Sequence, residues 1–476
     1  MTISGSNVFL AKLFRNLRWQ SIAVLLRALI SVIALALIVR ESGQALMGLF
    51  GVAWVSVALC FSIIQGMSGH SLIGIDDVDS NTINAASFIS LLSSLAMCMG
   101  LVISAPLWGL VIGNSDLEDA MKLGALFIPF MNLAVVENAI VQRSLDFKLF
   151  AKVQTIATVL SALSALFFAF YIDILLGLFS LTGLIGAFQF LIYRCLGRPI
   201  PFGLFSWADI TKVFRAGKHF VMTATSVVVC INSPQILLTQ LLPIEQVGVF
   251  VLCRRIIEMI SVQISSLVNT VIFPSFTKIR DDTLRMSRSF LGCNYYIALV
   301  MMIPLIALAA NAPDFLELYA GASWRLGGDV LILLVVMQLA LNFGQSVFPT
   351  FFALGDYSSA WKWNVLLTLL QVSLLLGFRA NTAESASLIL AFSALVTPVI
   401  GLILSNKLNF SFSEWLLNLS MITALGFVII VLASLESTRL LIADYNVYTR
   451  LFIVTCSSIT LYLSTLLFLG LTRKYR

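Results

Sequence analysis

The stretch that decides the fold covers residues 84–106 and reads NAASFISLLSSLAMCMGLVISAP, without a single Asp, Glu, Lys or Arg. A helix rises about 1.5 Å per residue, so about 20 apolar residues cross a hydrocarbon layer of about 30 Å. A membrane β-strand needs only about 9–11 residues, which makes this stretch too long for a barrel strand. In lipid the backbone must pair its own polar groups, and a helix does so within one segment. We therefore predict a transmembrane α-helix here.

Comparable stretches follow one another along the whole chain. The 476 residues are 59% hydrophobic and 11% charged, whereas a water-soluble domain is roughly 25% charged. The sequence therefore predicts an all-α, polytopic membrane protein with about fourteen transmembrane helices. The predicted spans cover residues 19–40, 44–65, 84–106, 122–142, 150–172, 174–193, 218–240, 246–272, 290–311, 329–350, 361–378, 386–406, 414–435 and 451–472.

Basic residues give this topology a direction. An even number of spans places both termini on one side, and twenty of the 29 Lys and Arg residues fall on that side. Cytoplasmic loops carry the excess of Lys and Arg, so we predict a bacterial inner-membrane protein with both termini in the cytoplasm. The net charge of +6 then orients helices, and no nucleic-acid partner is expected.

An internal repeat divides the chain. Met47–Phe50 matches Val247–Phe250 at an offset of 200 residues, and Asp146-Phe147 matches Asp356-Tyr357 at an offset of 210. Parallel repeats of this kind are a known transporter architecture. We predict two pseudo-symmetric six-helix lobes, residues 1–200 and 201–410, followed by two additional helices in residues 411–476.

Several short motifs carry a family resemblance over nearly the whole chain. They are Gly48-Leu49-Phe50, Gln142 to Lys148, Phe273 to Lys278, Phe315 to Gly321 with Trp324, and Ala353-Leu354-Gly355-Asp356. With these motifs the sequence resembles the Wzx-type branch of the multidrug/oligosaccharidyl-lipid/polysaccharide flippase superfamily. It departs from the family at Glu41 to Leu46, where relatives commonly have a proline-acid-aromatic pattern.

The resemblance implies a function. It implies translocation of undecaprenyl-diphosphate-linked oligosaccharide repeat units across the inner membrane for exopolysaccharide, capsule or O-antigen synthesis. It also implies alternating access by two lobes around a central cavity, with ion-gradient coupling. The expected partners are the lipid-linked oligosaccharide, membrane lipids, and polymerase and export proteins of the same pathway. No cofactor and no metal site are expected.

Charged side chains inside apolar helices are costly and mark a cavity or pathway by default. Arg27, Arg254 and Arg255 fall inside predicted spans. A diphosphate needs fixed cations, and the planar guanidinium bonds two phosphate oxygens at once without losing its charge. We therefore predict that Arg27 and one of the Arg254/Arg255 pair bind the diphosphate, since neighbouring helix residues point about 100° apart.

Structural roles compete with this interpretation. Arg254 and Glu258 are spaced to form an i,i+4 ion pair. Arg255 has a long stem that can reach toward the membrane surface, and Arg27 can instead pair with Glu137. Glu137 and Glu258 are also candidates for ion coupling, because burial favours protonation of a carboxylate. The residues alone leave these alternatives open.

Two further features bear on transport. Pro234 follows Asn232 and Ser233 within a predicted span, where it removes a backbone hydrogen bond and is a candidate hinge, with a static kink as the alternative. Trp54 lies in span 2 and can stack on a sugar ring or pack against lipid and neighbouring helices.

Other functions are less consistent with the sequence. The chain has no P-loop motif and no HExxH motif, so neither ATP binding nor zinc catalysis is expected. We predict that the chain is not an enzyme, although a membrane polysaccharide polymerase remains an alternative. A drug or small-solute antiporter of the same superfamily and a peptidoglycan-precursor flippase are the others.

Overall fold

The fold is described from a computed structural model covering residues 23–75, 77–144, 146–198, 203–279, 282–344, 346–434 and 447–468. Across these residues the chain is helical and contains no β-strand. In the first half the helices are α1 Ala23–Glu41, α2 Gln44–Ile64, α3 Ser71–Gly74, α4 Ser80–Ile112, α5 Ser115–Asn132, α6 Val135–Arg143, α7 Phe147–Tyr171, α8 Ile174–Gly183, α9 Ile185–Cys195 and α10 Trp207–Leu241. The second half continues with α11 Ile244–Ile279, α12 Thr283–Ala310, α13 Ala312–Ala320, α14 Gly328–Leu341, α15 Val347–Ala353, α16 Tyr357–Phe378, α17 Ala383–Ala394, α18 Ile400–Leu408, α19 Phe412–Ser434 and α20 Val447–Phe468.

These helices make the chain a multi-pass membrane protein. Within the described residues, ten helices are long and apolar enough to cross a membrane, and the bent pair of α8 and α9 raises the number to eleven. Helices α11, α19 and α20 occupy the positions of three more predicted spans. The all-α membrane fold is thus confirmed, and the count of fourteen spans is not.

Lipid is the solvent for the outer surface. Helix α4 is 33 residues long, yet only 17% of its most apolar window is buried by protein. Its exposed face includes Ile103, Leu107 and Leu110, which follow one another at helical spacing. Such an apolar stripe would aggregate in water and is stable against acyl chains.

Several predicted spans are broken rather than straight. Span 122–142 is interrupted at Leu133 and Ala134, between α5 and α6, and span 174–193 bends by 48° between α8 and α9. Span 386–406 is interrupted by a short 3₁₀ turn, Thr397–Val399, in which Pro398 cannot continue the helix. By contrast α10 runs without interruption through Pro234, whose role as a hinge stays a prediction.

The residues that revealed the internal repeat take equivalent structural positions. Helices α2 and α11 begin at residues 44 and 244, and Met47 and Val247 are both fully buried. Asp146 caps α7 by accepting a hydrogen bond from the backbone N–H of Leu149, and Asp356 caps α16 in the same way from Ser359. A capping carboxylate satisfies an orphan backbone donor at the helix start, which explains why the motif recurs.

The motif from Gln142 to Lys148 is therefore a turn element. Arg143 closes α6 and donates to the backbone carbonyl oxygens of Leu72 and Ile75, at the end of α3. Helix carbonyls at a C-terminus lack intrahelical partners, and a guanidinium both pairs with them and complements their partial negative charge. The motif thus joins two helix ends at one membrane surface.

The chain divides into two compact units, Met1–Gln240 and Leu241–Arg476. This boundary falls 40 residues later than the one expected at residue 200, because α10 packs on the first unit. A Cβ atom at Gly217 would lie 3.0 Å from the backbone of Met67, and one at Gly66 would lie 3.0 Å from the backbone of Val221. Small residues allow this close approach of helices in membranes. The functional division into residues 1–200, 201–410 and 411–476 stays a prediction.

A pH-dependent contribution to stability is expected at the second capping aspartate. Burial opposes ionisation of Asp356, but hydrogen bonds from Lys407, Ser359 and Ser358 prevail and hold its pKa below the ordinary 3.8. The folded state therefore favours the carboxylate, and the stabilisation is present above pH 3.8 and is lost as the pH falls below it. We expect Asp356→Asn to lower the unfolding temperature at neutral pH, with the difference from the native protein shrinking in acid.

The measurement is thermal unfolding of both proteins across that pH range. Asp119→Asn is the matched control, since its carboxylate is 84% exposed. If the difference in unfolding temperature between the native protein and Asp356→Asn stayed constant down to the lowest pH, the contribution of Asp356 would not depend on its charge.

Candidate functional site

Three interruptions of helical geometry meet in the first unit. A π-helix, Gln65–His70, follows α2, the chain breaks between α5 and α6, and it bends between α8 and α9. A π-turn or a broken helix at membrane depth exposes backbone groups, which is tolerated only where protein buries them or a cavity is lined. Discontinuous helices form the binding sites of many transporters for this reason.

All three interruptions border one cavity of about 360 Å³. We call it the amide cavity, because five side-chain amides line it: Gln65, Asn138, Gln142, Gln154 and Gln189. The other described lining residues are Trp54, Ala58, Phe61, Gly69, His70, Ile73, Met131, Val135, Ala139, Phe150, Thr182, Ile185 and Gly186. The cavity thus combines several uncharged polar side chains with apolar ones inside a bundle of apolar helices, which makes it the candidate functional site.

Close packing of backbones shapes one wall of the amide cavity. A Cβ atom at Gly186 would overlap the backbone carbonyl of Met131, and one at Gly69 would lie 2.9 Å from the Val135 side chain. Only glycine fits at such distances, so α9 approaches the end of α5 and the π-helix approaches α6. The interruptions and these glycines together determine the shape of the wall.

Two hydrogen-bonded groups fix amides at the cavity. The hydroxyl of Tyr193 donates to the Asn138 carbonyl oxygen over 3.0 Å, and the Asn138 amide donates to Gln189 Oε1 over 2.6 Å. Separately, the Arg27 guanidinium donates to Gln154 Oε1 over 3.2 Å. Arg27 thus contacts an amide of this cavity, and its predicted role in diphosphate binding stays a prediction.

Glu137 has a different cationic partner. Its Oε1 pairs with Arg194 Nη2 at 2.5 Å, and the side chains are only 5% and 18% exposed. Arg194 also lies over the ring of Phe190, with its guanidinium carbon 4.7 Å from the ring centre. The alternative that paired Glu137 with Arg27 is therefore wrong, because α9 brings Arg194 against α6.

A second, smaller cavity of about 160 Å³ adjoins this ion pair. It is lined by Glu137, Asn132 and the serines Ser87, Ser90 and Ser94, among other residues. The Oε2 atom of Glu137 is buried and has no hydrogen-bond partner among the described residues. One oxygen of the carboxylate thus pairs with Arg194, and Glu137 also lines a small space that has several polar groups.

In the second unit, the predicted i,i+4 pair is confirmed. Arg254 Nε donates to Glu258 Oε1 over 2.8 Å, with the Arg254 side chain 10% exposed. Arg255 is half-buried one residue further along α11, where it interacts electrostatically with Glu258 and Tyr319. Arg254 is consequently a poor ligand for phosphate, since its charge is already neutralised by Glu258.

The prediction from charges alone missed the amide cavity. The missed signal is uncharged: Gln65, Asn138, Gln154 and Gln189 all fall within predicted apolar spans, where a primary amide is also expensive to bury. Charge marks only part of a polar site in a membrane protein, and amides mark the rest.

Comparison with known proteins places the chain in a family. A family model described as polysaccharide biosynthesis protein matches residues 46–326, which is more than half of the chain and includes both the amide cavity and Arg254. The chain belongs to this family. Its Wzx-type resemblance is thereby confirmed.

Two named relatives are similar over long stretches. The lipopolysaccharide biosynthesis protein WzxC of Escherichia coli strain K12 is 23% identical over 424 residues, covering 85% of this chain and 84% of WzxC. The succinoglycan biosynthesis transport protein ExoT of Rhizobium meliloti strain 1021 is 20% identical over 293 residues, covering 60% and 58%.

Solved structures share the fold. The lipid II flippase MurJ in an inward closed conformation superposes with a TM-score of 0.69 at 12% identity, covering 94% of this chain and 98% of MurJ. An inward-facing multidrug resistance transporter of the MATE family and MOP superfamily gives a TM-score of 0.61 at 17% identity, covering 85% and 96%. This member of the polysaccharide biosynthesis family therefore shares the fold of these two membrane proteins.

Proposed function

We propose that the protein is a flippase for lipid-linked oligosaccharide repeat units in the bacterial inner membrane. The observation that carries the proposal is the family match over residues 46–326, in a chain whose similar proteins are named for polysaccharide biosynthesis, succinoglycan transport and lipid II flipping. Polar and charged side chains at membrane depth supply the hydrated path that such a substrate needs. The excess of Lys and Arg on one side supports cytoplasmic termini.

Arg27 is the first candidate for contact with the diphosphate. Its guanidinium donates to a neutral amide, Gln154, and it has no carboxylate partner among the described residues. A half-buried cation without a compensating anion can gain a charge-assisted hydrogen bond when a phosphate binds. Arg255 is the second candidate, while Arg254 is assigned a structural role by its pairing with Glu258.

Glu137 and Glu258 remain candidates for ion coupling, but a coupling ion would have to compete with an arginine for either carboxylate. Each carboxylate already pairs with an arginine, Glu137 with Arg194 and Glu258 with Arg254. A coupling proton or cation must displace that arginine, so coupling at either residue entails a switch of its ion pair. The unpartnered Oε2 atom of Glu137 makes this residue the better candidate of the two.

Deletion of the gene is expected to abolish the polysaccharide and to leave lipid-linked repeat units facing the cytoplasm. Complementation with Arg27→Ala or Arg255→Ala should restore roughly ten- to hundredfold less transport than the native gene, because a charge-assisted hydrogen bond contributes about 1.5–3 kcal/mol. The measurements are the extracellular polymer and the leaflet distribution of repeat units. Arg215→Ala is the matched control, since Arg215 is exposed on α10.

Two other outcomes would replace the proposal. Repeat units that reach the periplasm unpolymerised would assign the protein to a later step, that of a polymerase or an export partner. An unchanged polymer with altered drug susceptibility would favour a drug or small-solute antiporter, a candidate supported by the fold shared with the MATE transporter.

A further inference from the structure

The amide cavity has an unusual combination of polarity and neutrality. Its described lining residues include five primary amides and no Asp, Glu, Lys or Arg. A phosphate would require cations in the lining, and a metal cation would require carboxylates or several carbonyl oxygens. The described lining has no charged side chain of this kind, and the carbonyl oxygens of Asn138, Gln154 and Gln189 already accept hydrogen bonds from protein donors. An uncharged ligand rich in hydrogen-bonding groups fits this lining best.

We propose that the amide cavity binds one neutral sugar ring of the glycan that the protein carries. The inference rests on the proposed transport function and specifies which part of the substrate the first unit holds. It separates two tasks: fixed charges such as Arg27 act on the diphosphate, and amides act on the sugar.

Primary amides match the chemistry of a sugar. Each side-chain amide presents two N–H donors and a carbonyl acceptor, and each sugar hydroxyl is a donor and an acceptor at once. Gln65 and Gln142 line the cavity, and neither side chain has a hydrogen-bond partner among the described residues. Both amides can therefore complete their hydrogen bonds with a ligand or with water in the cavity.

The other amides are held in place for binding. The chain from Tyr193 through Asn138 orients Gln189, and Arg27 orients Gln154 by bonding its carbonyl oxygen. Gln189 and Gln154 accept these hydrogen bonds through their side-chain carbonyl oxygens. The NH₂ group of each glutamine therefore remains available to donate to a ligand in the cavity. Amides fixed in this way lose little conformational freedom when a ligand binds.

Aromatic side chains supply the apolar part of the site. Trp54, Phe61 and Phe150 line the cavity together with the amides. A sugar ring has a face of C–H groups that packs on an aromatic ring, while its hydroxyls point outward to polar partners. The volume of about 360 Å³ lies at the small end of the range of about 300–1,000 Å³ for small-molecule sites, which suits one ring rather than a whole oligosaccharide.

The test is saturation-transfer NMR on the full-length protein in phospholipid nanodiscs, which avoids detergents that have sugar head groups. The probes are free neutral monosaccharides: glucose, galactose, mannose, fucose and N-acetylglucosamine. We expect at least one of them to receive saturation from the native protein. The double variant Gln65→Leu/Gln142→Leu should weaken its binding about tenfold, because two hydrogen bonds are lost at nearly constant volume.

Gln371→Leu makes the same chemical change at a buried position of the second unit and should leave binding unchanged. If the double variant unfolds at a lower temperature than the native protein, the two single variants are measured in its place. The inference is overturned if no sugar of the panel receives more saturation from the native protein than from the double variant.

The two proposals fail separately. If the native protein binds no sugar but deletion of the gene gives the phenotype expected of a flippase, the flippase assignment stands and the sugar site does not. Sugar binding in a protein whose deletion changes neither polymer nor leaflet distribution would instead overturn the flippase assignment and, with it, the claim that the bound ring belongs to a transported glycan.

Discussion

Replacement of Arg194 by methionine is expected to lower the free energy of unfolding by about 3–5 kcal/mol, because it strands the Glu137 carboxylate in a buried site. Glu137 is only 5% exposed, and its second oxygen already lacks a partner among the described residues. Methionine keeps the length and most of the volume of the arginine stem, so the change isolates the charge. The measurement is equilibrium unfolding in mixed micelles with increasing SDS.

Removal of both charges should restore most of that loss. In Glu137→Gln/Arg194→Met no buried carboxylate remains, and a neutral pair of similar volume is often as stable as a buried ion pair. Lys122→Met provides the exposed comparison, since Lys122 pairs with Glu118 at side-chain exposures of 41% and 30%. That pair should contribute at most about 1 kcal/mol. A double variant as unstable as the single one would show that Arg194 acts through packing.

Trp324→Ala is expected to cost about 3–5 kcal/mol of stability, the range for truncation of a buried aromatic side chain. Trp324 is 2% exposed in the short 3₁₀ helix Ala322–Gly327, directly after a glycine with φ of +106°. Its indole is among the largest fully buried side chains described in the chain. Truncation therefore opens a large cavity next to a turn that cannot easily shift.

Trp207→Ala is the matched control because Trp207 is 79% exposed at the start of α10. We expect its effect to remain within about 0.5 kcal/mol, as for most surface substitutions. Both variants are measured by the same SDS titration. Equal losses at the two positions would contradict the structural role assigned to the family motif that contains Trp324.

The parts of the fold that follow from local physics could be predicted from the sequence. Hydropathy located the helices, and the spacing of Arg254 and Glu258 gave a correct ion pair because both residues lie on one helix. The partner of Glu137 could not be predicted, since Arg194 lies on another helix and only tertiary packing brings the two together. The prediction that Arg27 binds the diphosphate rested on its charge alone and did not include its hydrogen bond to Gln154.

Hydropathy also could not predict the helix breaks that shape the amide cavity. The interruption at Leu133 and Ala134 contains neither glycine nor proline and is as apolar as an intact helix. A tertiary contact lies beside the break, since Gly186 of α9 packs against the backbone of Met131. A sequence reports such a contact only through the small residue that permits it.

The buried pair of Glu137 and Arg194 also constrains how the protein is made. Arg194 is synthesised 57 residues after Glu137, so the segment with the carboxylate enters the membrane before its counter-charge exists. An isolated acidic side chain costs about 2.5–3.5 kcal/mol to insert at the centre of a helix. The ion pair can form only after α9 has been made, so the first unit reaches its final packing after that helix has entered the membrane.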